Sequence, residues 1–83
     1  MAEKFMATFA DGRSFEVERE EIDLRPKYPI RRTTISWVRP DGMFVNHDID
    51  VDDAIGDRFG VDRHNYEVNQ GIKELGIVSL VPA

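Results

Sequence analysis

Cysteine is absent from this chain of 83 residues. Neither a disulfide framework nor a zinc site with thiolate ligands can therefore form. Long apolar runs are also lacking, because no stretch approaches the ~18 apolar residues typical of a transmembrane helix. The N-terminal segment has no apolar core of the kind found in a secretory signal. We therefore expect a cytoplasmic protein that contacts no membrane.

Recognisable catalytic and metal-binding motifs are missing as well. The chain contains no G-x-S-x-G and no glycine-rich phosphate loop. The acids of residues 48–52 are spaced like the start of an EF-hand calcium loop, but the required glycine and glutamate are replaced by Asp53 and Phe59. The two histidines have no partner at ligand spacing. His47 lies in line with core positions of a strand and is expected to be partly buried and hydrogen-bonded, whereas His64 lies near a helix start. We expect no enzymatic activity, no cofactor, no metal site and no small-molecule substrate.

The chain also lacks an excess of basic residues over acidic ones. The chain has 11 basic and 16 acidic side chains and a net charge of −5, although residues 25–39 contain five basic residues and no acid. Such a protein lacks the general attraction to phosphates that supports nucleic-acid binding. This balance favours a partner that is a protein or ribonucleoprotein with a basic surface, and leaves nucleic acid as the second possibility. Pairing of the charges within the chain is the plain alternative.

Two alternating segments with Asp-Gly turns predict two hairpins. In the first, residues 4–19, a three-residue loop at 10–12 places Phe5 opposite Val17 and keeps apolar side chains on one face. A two-residue loop would mix apolar and acidic residues, because a one-residue slip moves every side chain to the other face. In the second, residues 32–51, the loop at 40–42 places Trp37 opposite Val45 and Arg32 opposite Asp50.

Helical spacing begins after the second hairpin. We expect a connection at 20–31, helices at 52–59 and 62–75, the second ended by Gly76, and a short strand at 77–81. The predicted fold is α+β: two antiparallel β-hairpins form a four-stranded sheet, followed by two helices and a short C-terminal strand. Residues 1–83 form a single domain.

The stretch DDAIGDRFGVDRHNYEVNQGIKELG, residues 52–76, resembles the helix-turn-helix of bacterial transcription regulators. Ile55 and Gly56 match the first helix, residues 59–61 match the turn, and Tyr66 matches an apolar position of the second helix. The resemblance implies a DNA-binding regulator. Its base-facing and phosphate-facing residues would be Arg63, His64, Asn65, Asn69 and Gln70, together with Arg25, Arg31 and Arg32.

The apolar stripe of the second helix favours another function. His64, Val68, Ile72 and Leu75 share one face, which turns Tyr66, Asn69 and Gln70 toward solvent and rotates the helix away from the motif. In general character the chain resembles small acidic inhibitors of phages and mobile elements, such as anti-CRISPR proteins and DNA mimics. The leading hypothesis is therefore a non-enzymatic interaction protein that modulates or inhibits a macromolecular partner. The expected contact residues are Glu16, Glu18, Asp48, Asp50, Asp53, Asp57, Tyr66, Asn69 and Gln70.

Val38 and Phe44 are adjacent apolar residues on the face of the second hairpin that also carries the acids. If no helix covers them, they form an exposed patch of the kind that marks contact sites. Cover by the helices is the alternative.

Overall fold

The computed structural model of the chain describes residues 2–25, 27–52 and 61–83. It is an α+β fold in which a five-stranded antiparallel sheet packs one face against a helix. The sheet order is β4-β3-β2-β1-β5, so β1 to β4 form a continuous meander. The elements are β1 (Ala2–Phe9), β2 (Ser14–Asp23), β3 (Ile30–Val38), β4 (Phe44–Asp52), α1 (Val61–Glu74) and β5 (Ile77–Pro82).

Both hairpins have the predicted loop and register. Phe5 pairs with Val17 in the first hairpin, and Trp37 pairs with Val45 in the second. Gly12 and Gly42 have φ angles of 90° and 85°, the left-handed conformation that closes a type I turn with a bulge.

The aspartate of each turn fixes this geometry. Asp11 Oδ1 accepts a hydrogen bond of 3.0 Å from the backbone N–H of Arg13. Asp41 Oδ1 accepts the equivalent bond of 3.0 Å from Met43. Both residues of each Asp-Gly pair therefore stabilise the turn: the aspartate accepts a hydrogen bond, and the glycine adopts the left-handed conformation.

The expected four-stranded sheet is wrong by one strand. The C-terminal strand, predicted at 77–81, joins the edge of the sheet by pairing with β1. Gly76, with φ of 87°, ends α1 and reverses the chain, and its carbonyl accepts a 2.8 Å hydrogen bond from the N–H of Ala10. The helix thus delivers β5 directly to β1, and the short strand becomes the fifth member of the sheet.

The predicted connection at 20–31 is longer than the connection in the structure. β2 continues to Asp23 and β3 begins at Ile30, so the connection covers residues 24–29. Because β2 and β3 are neighbouring antiparallel strands, it does not cross to another part of the sheet, and Leu24 N–H donates to the carbonyl of Ile30 at 3.2 Å. The polar alternation of residues 20–23 concealed a strand because it contains few apolar residues.

The helical predictions have different outcomes. The predicted helix 62–75 is present as α1, Val61–Glu74. The predicted helix 52–59 falls on residues outside the described part of the chain, except for Asp52, which ends β4.

One face of the sheet and the apolar stripe of α1 form the core. Odd-numbered residues of β1 to β4, such as Ala7, Val17 and Ile35, pack with Val68 and Ile72 of the helix. The predicted stripe from His64 to Leu75 is therefore confirmed as the buried side of α1. It follows that the even-numbered residues of these four strands project from the opposite side of the sheet.

Candidate interaction surface

The side of the sheet opposite α1 is called the open face here. It consists of the even-numbered residues of β1 to β4, with Ser79 and Val81 of β5. The core cluster formed by the described residues lies entirely on the other side. Val38 and Phe44, which sit side by side on β3 and β4, are each 64% exposed. The alternative that helices cover this pair is therefore wrong.

The open face is strongly acidic. Strand alternation brings six carboxylates of β2 and β4 to it, but only two cations, Lys4 and Arg32, so the formal charge of the face is −4. The six acids are Glu16, Glu18, Glu20, Asp48, Asp50 and Asp52.

Arg32 neutralises part of this charge. Its Nε donates to Asp50 Oδ1 at 2.8 Å and its Nη2 donates to Asp50 Oδ2 at 3.1 Å. These bonds hold the pKa of the Asp50 carboxyl below its usual value and raise the pKa of the guanidinium. Asp48 accepts a 2.8 Å bond from the Thr34 hydroxyl and lies 3.8 Å from Arg32 Nη1. The charges of Arg32 and Asp50 are therefore paired with each other within the sheet.

The carboxylates of β2 are less occupied. Lys4 lies opposite Glu18 in the register, but its ammonium approaches Glu16 instead, at 3.8 Å. Within the described part of the chain, Glu18 and Glu20 make no ion pair. Two negative charges at the centre of the open face are thus available to an external cation.

An apolar row runs beside these acids. The register places Val38 opposite Phe44 and Met6 opposite Val81, and the β2–β3 register extended by two residues places Glu16 between Val38 and Met6. We call Phe44, Val38, Met6 and Val81 the apolar row. All four side chains are exposed, and together they cross the sheet from edge to edge.

The residues predicted to contact a partner divide into three groups. Glu16, Glu18, Asp48 and Asp50 come together on the open face. Asp53 and Asp57 lie outside the described residues. The remaining residues lie on α1, on the other side of the sheet, so one flat partner surface cannot contact them together with the acids; they are Tyr66, Asn69 and Gln70.

Two acids and two apolar residues of the candidate surface were not expected there. Glu20 was assigned to the connection and Asp52 to a helix, although both continue the even-numbered alternation of their strands. Met6 and Val81 become part of one row only through the pairing of β1 with β5. Strand alternation was sufficient to find the two acids, whereas the apolar row required the sheet order.

The basic residues of the helix-turn-helix interpretation do not form one patch. Arg32 lies on the open face beside Asp50, whereas Arg31 projects from the helix side. Arg25 Nε and Nη2 donate to the Asp23 carboxylate at 2.9 and 2.8 Å, which places the pKa of Asp23 well below its usual range. Arg25 and Arg31 thus lie beside Asp23, and Arg32 is paired separately with Asp50.

The proposed base-reading residues are also separated. His64 is expected near the bases, but it is only 8% exposed and lines a pocket of about 270 Å³ together with residues of β2 and β3. Asn65, by contrast, is exposed, and the side chain of Arg63 lies outside the described part. The expectation for His64 is wrong, because the apolar stripe of α1 turns this residue into the core.

His47 differs from its expected partial burial. It projects from the helix side of the sheet as predicted, but it is exposed, with its ring 5.5 Å from that of Trp37. The reason is that β4 is an edge strand. The ring of Trp37 also lies edge-on to Phe9 and tilted toward Phe15, with centroid distances of 5.4 and 5.9 Å. These rings line a groove of about 930 Å³ near the hairpin loops.

The described residues contain no group of three or more histidine or acidic side chains arranged to hold a metal ion. In the same residues, no helix is long and apolar enough to cross a bilayer. Comparisons of the chain with protein-family models, with curated proteins and with solved structures give no match.

Proposed function

We propose that this chain is a non-enzymatic interaction protein whose open face binds a basic surface on a protein or ribonucleoprotein and so modulates or inhibits that partner. One observation carries the proposal: an exposed sheet face presents six carboxylates against two cations. Complementary charge of this kind accelerates encounter and rejects partners of like charge.

The dimensions of the open face suit such an interface. Five strands are spaced by ~4.8 Å, four of them 8 to 10 residues long and β5 six residues long. At ~3.3 Å per residue they give a face of roughly 24 by 28 Å. Its area of roughly 700 Å² is close to the ~800 Å² that one partner contributes to a standard interface. The face is therefore large enough to support specific binding by itself.

The helix-turn-helix regulator is the less favoured function. The hypothesis needs a cationic surface around α1, and its arginines are instead engaged by carboxylates such as Asp23 and Asp50. Binding of the open face to a basic protein surface does not require these arginines to leave their carboxylate partners.

The test is affinity capture from the native host's lysate, with and without nuclease. We compare the wild type with Glu18→Ser/Glu20→Ser, which removes from the open face two charges that make no ion pair with any described residue. The matched control is Glu3→Ser/Glu74→Ser, which removes the same charge from exposed positions elsewhere. We expect the open-face variant to bind the captured partner at least ~10-fold more weakly, equivalent to ~1.4 kcal/mol, and the control to bind within about twofold of the wild type.

Unchanged binding by Glu18→Ser/Glu20→Ser would contradict the proposal. Capture that survives nuclease supports a protein partner, and capture that nuclease weakens supports a ribonucleoprotein. Salt-sensitive binding of the purified chain to duplex DNA, measured by fluorescence anisotropy, would favour the regulator instead.

A further inference from the structure

We infer that the element received by the open face is an amphipathic, basic α-helix of the partner, lying across the strands with its apolar side on the apolar row. This inference rests on the proposed function and names the partner element that the surface fits. The combination of an edge-to-edge apolar row with acids on one flank carries it.

The length and spacing of the apolar row match a helix. The row crosses four strand spacings, or roughly 19 Å, from Phe44 on β4 to Val81 on β5. At 1.5 Å per residue this corresponds to about 13 residues of α-helix. One helical turn advances ~5.4 Å, close to the ~4.8 Å between strands, so side chains one turn apart meet successive strands.

The charges beside the apolar row are asymmetric. Toward the open ends of the hairpins, one step along the strands places Glu18 and Lys4 beside the row, and the next step adds Glu20 and Asp48. This flank therefore carries three acids against one cation. Toward the hairpin loops the neighbours are uncharged, with Thr8 and Ser14 joined by a 2.9 Å hydrogen bond between their hydroxyls. A complementary helix therefore carries its lysines and arginines along one flank of the apolar stripe only.

Glu16 requires a positive charge within the apolar stripe of the partner helix. It interrupts the row between Val38 and Met6, and its only described ionic contact is Lys4 at 3.8 Å, with both side chains more than half exposed. A lysine or arginine near the middle of the partner helix can pair with Glu16 while its aliphatic stem covers the flanking apolar residues. An entirely apolar stripe would bury this carboxylate without a partner, at a large cost.

Other occupants fit less well. An anionic membrane surface would be repelled by the formal charge of −4. An added β-strand would pair at a sheet edge rather than lie on the face. A second copy of this chain is acidic overall and offers no comparable cationic helix among its described residues.

The test uses the complete ¹⁵N-labelled chain and three synthetic peptides of about 18 residues, titrated in two-dimensional NMR. The first peptide has an apolar stripe with one central lysine and lysines along one flank. The second has the same composition in scrambled order, and the third replaces the lysines with glutamates. We expect the first peptide to shift the amide resonances of open-face residues and to bind at least ~10-fold more tightly than the other two peptides.

Protein variants locate the contact. Val38→Ser/Phe44→Ser removes two apolar side chains that are already exposed, so we expect the fold to be retained. The affinity of this variant for the first peptide should be lower than that of the wild type by ~10-fold or more. Tyr66→Ser is the matched control, since Tyr66 is similarly exposed on α1, on the other side of the sheet. Its binding should stay within about twofold of the wild type.

Three results would overturn the inference. They are equal binding of the first and second peptides, shifts confined to α1, and shifts at the open face that grow with protein concentration without peptide, which would indicate a second copy. The proposed function fails separately, when capture of the native partner is insensitive to Glu18→Ser/Glu20→Ser. Loss of that capture together with equal peptide binding rejects the helix and retains the acidic interface.

Discussion

Gly71 allows α1 to pack closely against β4 of the sheet. A Cβ atom at this position would lie 2.8 Å from Cγ2 and 3.0 Å from Cγ1 of Ile49 on β4. Glycine is unfavourable in a helix interior by ~1 kcal/mol relative to alanine. Its presence in α1 is therefore explained by close packing rather than by helix propensity.

Gly71→Ala tests this explanation. We expect a net loss of about 1 kcal/mol in the free energy of unfolding, because overpacking by ~1–3 kcal/mol exceeds the gain in helix propensity. Urea unfolding followed by circular dichroism measures the change. The control is Gly71→Ala in an Ile49→Ala background, where the space is vacated and the same substitution should stabilise the protein. Equal effects in both backgrounds would show that contact with Ile49 does not matter.

At the scale of elements, β5 shows where local patterns stop being informative. The registers of both hairpins could be predicted because the turn and the alternation lie within about 20 residues of each other. The pairing of Phe9 with Ile77 joins residues far apart in the sequence. No pattern within β1 marks which strand covers its free edge, so the five-stranded order could not be predicted.

The contribution of β5 can be measured by truncation after Gly76. The truncated chain loses the β1–β5 ladder and the buried side chain of Ile77, which is 2% exposed. The unpaired edge of β1 would then be available for aggregation. We expect loss of the cooperative thermal transition or a large fall in Tm, together with oligomers in size-exclusion chromatography. Truncation after Val81 is the control, because it keeps Ile77 and most of the ladder, and it should remain monomeric with a similar Tm.

At the scale of the whole molecule, the candidate surface was predictable only in part. Alternation alone predicts that Glu16 and Glu18 lie on the non-core face of the first hairpin, and that Asp48 and Asp50 lie on the non-core face of the second. That information cannot show that α1 and its residue Tyr66 lie on the opposite side. Faces of single elements follow from local sequence, whereas the composition of a surface spanning five strands depends on packing.

The distribution of ion pairs predicts how the stability of the molecule depends on pH. Asp11, Asp23 and Asp50 each accept hydrogen bonds, from Arg13, Arg25 and Arg32 respectively. In each case the donor lowers the carboxyl pKa below its ordinary value of 3.8. Their contribution is therefore complete above about pH 5, begins to fall near the unfolded pKa of 3.8, and is lost as the pH falls through the lower pKa values of the folded state.

We expect the urea midpoint to be insensitive to these groups between pH 5 and pH 7 and to fall progressively below about pH 4, where the unfolded chain binds more protons. Asp23→Asn/Asp50→Asn should lower the midpoint at neutral pH and flatten the decline in acid, because two of the three groups no longer titrate. Glu3→Gln/Glu18→Gln is the matched control, since it removes two carboxylates that accept no hydrogen bond within the described part of the chain. An acid decline as steep in Asp23→Asn/Asp50→Asn as in the wild type would show that these arginine pairs do not govern the acid limb of stability.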